Sequence, residues 1–104
     1  MSCPTRIKNI QQLNDAVGED YTTLRDCIYE KKFLNKIKKL RKPQIRDLRT
    51  RMRYVIEFPE RGKPMSYERF GQLEAYVGSS RLYYKYDIEE NRVTFCEFSH
   101  KNYQ

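Results

Sequence analysis

The positive charge of this 104-residue chain is concentrated in one short segment. Residues 31–53 hold eleven Lys or Arg and one acidic residue, whereas the segments before and after it hold slightly more acidic than basic residues. The net charge of the whole chain is +7, so the flanking segments contribute none of the excess. This distribution indicates a polyanionic partner, either a nucleic acid or an acidic protein tail. A pair of solvated, Lys-rich helices is the alternative interpretation.

Apolar residues within the basic segment recur at the spacing of α-helices. The apolar positions of a first helix are Phe33, Leu34, Ile37 and Leu40. This helix is expected to end near Lys42, because the residue before Pro43 disfavours helical backbone. A second helix begins at Pro43, and its apolar stripe is formed by Ile45, Leu48, Met52 and Val55. The segment therefore predicts a hairpin of two amphipathic helices.

A shorter helix is predicted before the basic segment, over residues 5–17. Its apolar positions are Ile7, Ile10, Leu13 and Val17, and Gly18 follows as a natural stop. This apolar stripe must be covered. We expect it to pack on the chain's own domain; self-association and occupation of a partner's binding groove are the alternatives.

The remaining segments read as strands and turns. A first strand is predicted over residues 22–29. Two prolines and a glycine within residues 58–64 exclude regular structure there and predict a loop that extends towards Gly71. Three further strands, over residues 73–77, 81–87 and 92–99, are separated by tight turns and predict an antiparallel meander. The predicted fold class is α+β: a small antiparallel sheet of about four strands, with the helix hairpin on one face and an extra N-terminal helix.

Side-chain alternation assigns residues of the last two strands to the two faces of the sheet. Arg81, Tyr83 and Lys85 are expected on the face that the helices leave open. In the last strand, one set contains Val93, Phe95 and Glu97, and the other contains Thr94, Cys96 and Phe98. His100 continues the second set, and it is expected to reach the open face together with Lys101 and Tyr103.

Length and composition limit the classes of function. A chain of this length supports one domain over residues 1–104 and leaves little room for a deep cofactor cleft. No apolar tract is long enough to span a membrane. Three cysteines without metal-ligand spacing, and a single histidine, predict no metal site, no disulfide scaffold and a reducing cytoplasmic location. We expect no cofactor.

The predicted open face carries groups suited to cleavage of a phosphodiester bond next to a 2′-hydroxyl. That reaction needs a proton acceptor, cations that hold the phosphate, and a proton donor to the leaving oxygen. His100 could transfer a proton, and Arg81 could hold a phosphate through two hydrogen bonds. In the alternative interpretation, His100 is an ordinary surface residue and Arg81 is a structural cross-strand partner.

The order of these motifs resembles the RelE/ParE superfamily of bacterial and archaeal toxins. The resemblance covers residues 22–104 and leaves residues 1–20 as an N-terminal helical extension. It rests on the basic helices, the Phe-Pro-Glu-Arg-Gly-Lys-Pro loop at 58–64, the Val-Gly-Ser-Ser-Arg run at 77–81 and the His-Lys pair at 100–101. It implies a small sheet with helices packed on one side.

The resemblance also implies roles for individual residues. Arg81 matches the arginine that contacts the scissile phosphate, His100 matches a terminal histidine that transfers protons, and Tyr103 matches a late tyrosine. An arginine expected just before the Val-Gly turn is absent. Glu74, near that position, is either a carboxylate base or a surface residue paired with Arg81. The residues expected to bind RNA are Lys36, Lys39, Arg46, Arg49, Arg53, Lys63, Tyr83, Lys85 and Lys101.

The function implied is that of a toxin neutralised by a cognate antitoxin. RelE-like relatives cleave mRNA on the ribosome, so this chain is expected to be a ribosome-dependent endoribonuclease whose partners are an antitoxin, the ribosome and mRNA. One alternative is a ParE-like toxin that binds DNA gyrase, which the missing arginine favours slightly. The other is a degenerate member that only binds nucleic acid or an acidic partner protein.

Overall fold

A five-stranded mixed sheet forms the centre of the protein. The computed structural model describes residues 7–100, except for the side chain of His100. The strands are β1 (Asp26–Tyr29), β2 (Lys63–Pro64), β3 (Leu73–Val77), β4 (Ser80–Asp87) and β5 (Arg92–His100). Their order across the sheet is β1-β5-β4-β3-β2, with β1 parallel to β5 and every other pair antiparallel. The predicted α+β class and antiparallel meander are confirmed, but the sheet has one more strand than expected and one parallel pair.

The first strand begins later than predicted. Thr22, predicted as its first residue, instead ends a short helix, α2 (Glu19–Thr22), and Thr23 caps that helix. Two acidic residues occupy its first turn, where the positive end of the helix favours them. The Thr23 hydroxyl then donates to the carbonyl of Glu19 at 2.7 Å. These local hydrogen bonds offer the backbone an alternative to the sheet, and they explain why the threonines do not form a strand.

The proline-containing segment contains regular structure that we did not expect. Lys63 and Pro64 form β2, which pairs with Glu74 and Leu73 of β3. A proline fits there because β2 is an edge strand. Short 3-10 turns lie at Pro59–Arg61 and Tyr67–Arg69. Between the first turn and β2, a side chain at Gly62 would collide with the hydroxyl of Tyr84, so the close approach requires glycine.

Two helices of the basic segment cover one face of the sheet. They are α3 (Lys31–Ile37), which packs against β5, and α4 (Lys42–Glu57), which packs against β3. The helix α3 ends at Ile37, earlier than predicted, although Leu40 beyond it is still buried. The predicted apolar stripe of α4 is confirmed, since all four of its residues are buried. Within residues 7–100, no helix has the length and apolarity needed to cross a membrane.

The N-terminal helix, α1 (Ile10–Val17), packs against α4. Leu13 and Val17 lie in the same buried core as the helices and strands, together with Ile7 before the helix. Ile10 is 49% exposed, so its predicted place on the buried stripe is wrong. Asn9, rather than a residue near position 5, caps the helix by accepting a hydrogen bond from the backbone N–H of Gln12. Residues 5 and 6 of the predicted helix lie outside the described residues.

A β-bulge shifts the register between β4 and β5. Tyr84 pairs with Phe95, whereas Tyr83 pairs with Glu97, so Cys96 is the extra residue on β5. A bulge of this kind reverses the side-chain alternation of the strand that contains it. The alternation inferred from sequence therefore holds only up to Cys96.

Beyond the bulge, the two predicted sets of β5 exchange faces. Phe98 is buried in the core with Val93 and Phe95, not grouped with Thr94 as predicted. His100 pairs with Ser80 in the backbone register. The prediction that His100 continues one unbroken alternating set is therefore wrong.

Candidate functional site

The centre of the candidate site is an ion pair between β3 and β4. The Arg81 guanidinium donates from Nη1 to Oε2 of Glu74 at 3.3 Å. The Glu74 side chain is 1% exposed and that of Arg81 is 32% exposed. The Tyr83 hydroxyl and the negative charge of Glu74 both stabilise the charged guanidinium, and they raise the pKa of Arg81. The predicted pairing of Glu74 with Arg81 is present, but Glu74 is a buried residue rather than a surface one.

Tyr76 connects this ion pair to a groove at the sheet edge. Its ring lies opposite Arg81 in the register, with the guanidinium carbon 5.5 Å from the ring centre. Tyr76 and Glu74 both line a groove of about 250 Å³ between α4, β3 and the turn before β2. Tyr76 therefore contacts both the groove and the Arg81 side chain, which does not itself line the groove.

Three cations surround this groove, and a tyrosine organises two of them. They are Arg51 of α4, Arg61 of the turn and Lys63 of β2. The guanidinium carbon of Arg51 lies 5.1 Å from the ring centre of Tyr54, and Arg61 donates to the Tyr54 hydroxyl at 3.2 Å. Tyr54 thus holds two guanidinium groups on one side of the groove, where each keeps donors for an anion. We call Arg51, Arg61 and Lys63 the edge cations.

The open face of the sheet is partly covered, contrary to expectation. Arg69, from the turn after β2, places its guanidinium carbon 3.8 Å from the ring centre of Tyr83. The same guanidinium donates to both carboxylate oxygens of Glu97, at 3.3 Å and 3.0 Å. Tyr83 is consequently buried, at 6% exposure. The expectation that Tyr83 is exposed on the open face and binds RNA there is therefore wrong, because Arg69 occupies the face of its ring.

Glu97 holds the Arg69 side chain in place over the Tyr83 ring. Besides Arg69, it pairs with Lys32 of α3 at 2.9 Å. Partial burial alone would raise the pKa of Glu97, but hydrogen bonds and charges from Arg69 and Lys32 lower it overall. One carboxylate therefore links the turn, the last strand and the basic helix.

The predicted RNA-binding residues of the helices are on the other side of the sheet from Arg81. Lys39 and Arg46 are exposed there, whereas Lys36 and Arg49 are half-buried. Arg53 is engaged internally, because its Nε donates to the carbonyl of Val17 at 2.6 Å and its guanidinium lies over Tyr21. The cations therefore occupy two surfaces, the helix layer and the sheet edge, rather than one continuous clamp.

The other predicted residues divide between the site and the end of the chain. Lys63 lies on the groove, directly opposite Glu74 in the register. Lys85 is exposed on the same strand as Arg81. Ser99, not His100, pairs with Arg81 in the register. Lys101 and Tyr103 lie outside the described residues, so their predicted roles stay predictions.

Sequence reasoning missed Arg51, Arg61, Tyr54 and Tyr76. Arg51 and Tyr54 are three residues apart on one helix, a spacing that places them together, but nothing in the sequence says that Arg61 folds back onto them. Among residues 7–100, no group of three or more His, Cys, Asp or Glu side chains could hold a metal ion. The site therefore combines the three edge cations with Arg81, whose guanidinium is paired with a buried carboxylate.

Comparison with known proteins relates this architecture to toxins solved with their antitoxins. No family model and no curated protein matches the sequence. A chain of the RelBE2 toxin–antitoxin complex from Mycobacterium tuberculosis superposes with a TM-score of 0.63 at 23% identity, covering 71% of this chain and 94% of that one.

Two further solved structures show the same likeness. The archaeal RelE–RelB complex from Pyrococcus horikoshii OT3 matches with a TM-score of 0.62 at 14% identity, covering 78% of this chain and 99% of that one. The intact Escherichia coli RelBE complex matches with a TM-score of 0.62 at 17% identity, covering 71% and 93%. The chain therefore has the fold of RelE toxins.

Proposed function

We propose that this protein is the toxin of a toxin–antitoxin pair and that it cleaves mRNA on the ribosome. The observation that carries the proposal is the groove lined by the edge cations, whose lining residue Tyr76 also lies against the guanidinium of Arg81. RNA is a polyanion with a phosphate at every nucleotide, so several cations along one groove hold successive phosphates. The fold shared with RelE toxins supports the same conclusion.

Arg81 holds the scissile phosphate in this mechanism. Its exposed guanidinium offers donors to the phosphate oxygens, where negative charge grows as the 2′-oxygen attacks. The edge cations bind the neighbouring phosphates. Proton transfer is assigned to His100, and Tyr103 orients the attacking hydroxyl or contacts a base, as the sequence resemblance implies.

Glu74 acts through Arg81 rather than as a base. Its side chain is 1% exposed, so a 2′-hydroxyl does not reach its oxygens. A carboxylate that accepts from one nitrogen of a guanidinium fixes the orientation of the whole planar group. Glu74 is therefore a positioning residue, and the alternative in which it removes the proton is not supported by this geometry.

The partners follow from the same surfaces. The exposed basic residues of the helix layer, including Lys39 and Arg46, suit ribosomal RNA, whereas the edge groove suits mRNA. Each of the three similar structures is a complex of a toxin with an antitoxin. We therefore propose a cognate antitoxin as the protein partner, and the cytoplasm, where ribosomes translate, as the place of action.

The test is primer extension on a translated messenger after induction of the protein. Wild-type protein is expected to produce new 5′ ends within the reading frame, and Arg81→Ala is expected to produce none while still folding. A messenger whose start codon is removed is the matched control, since it is not translated. Induction that triggers DNA-damage signalling without mRNA ends would support the gyrase-binding alternative, and growth without arrest would support a binding-only member.

A further inference from the structure

Two aromatic side chains on one turn are almost fully exposed. Tyr67 is 95% exposed and Phe70 is 84% exposed, the highest values among the large hydrophobic residues that the structure describes. Within residues 7–100, no hydrogen bond, ion pair or ring contact engages either ring. Exposing two aromatic rings forgoes the favourable free energy of burying them, unless something else covers them.

The turn that carries these rings is rigid. The backbone N–H of Phe70 donates to the carbonyl of Tyr67 at 3.0 Å, which closes the turn and keeps the two residues within about 7 Å. At its base, the N–H of Met65 donates to the carbonyl of Gln72 at 3.0 Å. Arg69, between the two rings, fixes the turn to the sheet through Glu97 and Tyr83.

The backbone at Tyr67 is strained. Its φ is 57°, in the left-handed region that an aromatic residue rarely adopts. Such a conformation persists only when its surroundings hold it, and it is concentrated at binding and catalytic sites. A rigid, strained turn that presents two rings to solvent is a preorganised contact surface rather than a frayed loop.

The turn lies directly beside the proposed phosphate site. Tyr83, which Arg69 covers, is the register partner of Glu74, and Arg81 is two residues away on the same face of β4. Two residues along a strand span about 7 Å. Lys63, one of the edge cations, precedes Tyr67 by only four residues. The turn that carries the rings therefore packs over the strand residue next to Arg81 on that face of the sheet, and it is close along the chain to one of the edge cations.

We propose that Tyr67 and Phe70 form a base-stacking clamp that holds unpaired RNA bases next to the phosphate bound by Arg81. This proposal rests on the proposed function for its ligand. RNA is favoured over a protein segment because the charges of Arg81 and Lys63 near the turn outweigh that of the exposed Glu68 on it, and because flat exposed rings beside cations are the combination that binds single-stranded nucleic acid. Stacking is tolerant of sequence, so the clamp contributes affinity at any codon.

The experiment compares two labelled oligonucleotides of about 12 nucleotides, one a mixed-sequence RNA and the other an abasic chain with the same phosphates. Binding to the purified protein is followed by fluorescence anisotropy. Wild type is expected to bind the RNA at least about 10-fold more tightly than the abasic chain, because stacking stabilises only the former. The Tyr67→Ala/Phe70→Ala variant is expected to lose that preference and to bind the abasic chain as wild type does.

Two control variants accompany it. Tyr67→Phe keeps a ring and is expected to keep the RNA preference. Ile88→Ala removes an apolar side chain that is 75% exposed at the β4–β5 turn, and it is expected to change neither affinity. Since the mutated rings are exposed, all variants are expected to unfold at the wild-type temperature.

Three results would overturn the clamp. They are equal wild-type affinity for the two chains, an unchanged RNA preference in the double-alanine variant, and normal RNA binding by that variant combined with lost neutralisation by the antitoxin. The last result would identify the turn as a protein-docking surface. The binding measurement does not depend on cleavage. If wild type shows no preference for RNA but still cuts mRNA, the clamp is wrong and the proposed function stands. If wild type shows the preference but does not cut mRNA, the proposed function is wrong and the stacking surface stands.

Discussion

Glu74 and Arg81 form a diagonal ion pair in which the acid is buried and the base is half exposed. In the register, Glu74 is opposite Tyr83 and Arg81 is opposite Tyr76, so the ion pair runs diagonally between two residue pairs that lie on the same face and are separated by one intervening pair. Only Nη1 of the guanidinium donates to the carboxylate, at 3.3 Å. Nε is buried without a hydrogen-bond partner, and the exposed end of the group stays available to an anion in an orientation set by the protein.

The first prediction concerns the chemistry of this guanidinium. Arg81→Lys keeps the charge but loses the planar fork of donors, so we expect it to lose activity nearly as fully as Arg81→Ala, by about 100-fold or more. The rate of mRNA cleavage in a reconstituted translation reaction measures this. Arg92→Lys is the matched control on β5, since Arg92 pairs with the exposed Asp26 instead. Full activity in Arg81→Lys would show that only charge is needed.

The second prediction separates stability from activity at the same pair. Arg81→Ala leaves the buried Glu74 carboxylate without its partner, so we expect a lower unfolding temperature than that of wild type. Adding Glu74→Gln removes the buried charge and is expected to restore part of the loss, while cleavage stays absent. Thermal unfolding of the two single variants and the double variant measures the coupling. A double variant that is less stable than both singles would contradict it.

Much of the fold was predictable because its signals are local. The helix spacing of Ile45, Leu48 and Met52 and the Tyr-rich alternation of β4 each depend on residues close together in sequence. The Glu74–Arg81 pair was anticipated as one of two alternatives, because a short turn at Gly78 brings their strands together. What could not be predicted is that the carboxylate is buried, since burial depends on what the rest of the chain places over it.

The remaining features depend on distant contacts. The bulge at Cys96 keeps both Phe95 and Phe98 in the core, and it is stabilised by the sheet as a whole rather than by a local motif. The contact of Arg69 with Glu97 joins residues 28 positions apart. A prediction from periodicity assumes an unbroken strand and an uncovered face of the sheet. It therefore assigned the residues after Cys96 to the wrong faces and predicted that Tyr83 is exposed.

The third prediction is a pH dependence that originates at Glu97. Its pKa is lowered below the ordinary value of 4.5, so the ionised carboxylate stabilises the folded state above that pH. This contribution is lost as the pH falls through the lowered pKa. We therefore expect Glu97→Gln to be less stable than wild type at pH 7, and the difference to shrink below pH 4.5. Urea unfolding at pH 7, 5 and 3.5 measures it; a constant difference would contradict the assignment.

The fourth prediction concerns the thiols of Cys27 and Cys96. Burial raises the pKa of each to about 11, with a nearby acidic residue adding to the shift in each case. Thiolate is the reactive form, so in a Cys3→Ser background we expect alkylation by iodoacetamide at pH 7.5 to be at least about 100-fold slower in the folded protein than in urea. The rate should rise about tenfold per pH unit up to pH 10. Rapid labelling at pH 7.5 would contradict the burial.

The fifth prediction tests whether the N-terminal helix is part of the folded core. Leu13 is 1% exposed, whereas Ile10, on the same helix, is 49% exposed. Leu13→Ala is expected to lower the free energy of unfolding by about 2–5 kcal/mol, because it leaves a cavity against α4. Ile10→Ala is expected to change it by less than about 0.5 kcal/mol. Urea denaturation of the two variants measures the contrast.

The same comparison decides what the helix covers. The hydroxyl of Tyr29 donates to Asn14 at 2.6 Å and Arg53 donates to the carbonyl of Val17 at 2.6 Å, so α1 is tied to both β1 and α4. A helix held this way stabilises the isolated protein, without a second chain. Equal stability of Leu13→Ala and Ile10→Ala would mean that the stripe is not packed in solution, and it would then be available to an antitoxin segment or a second copy of the chain.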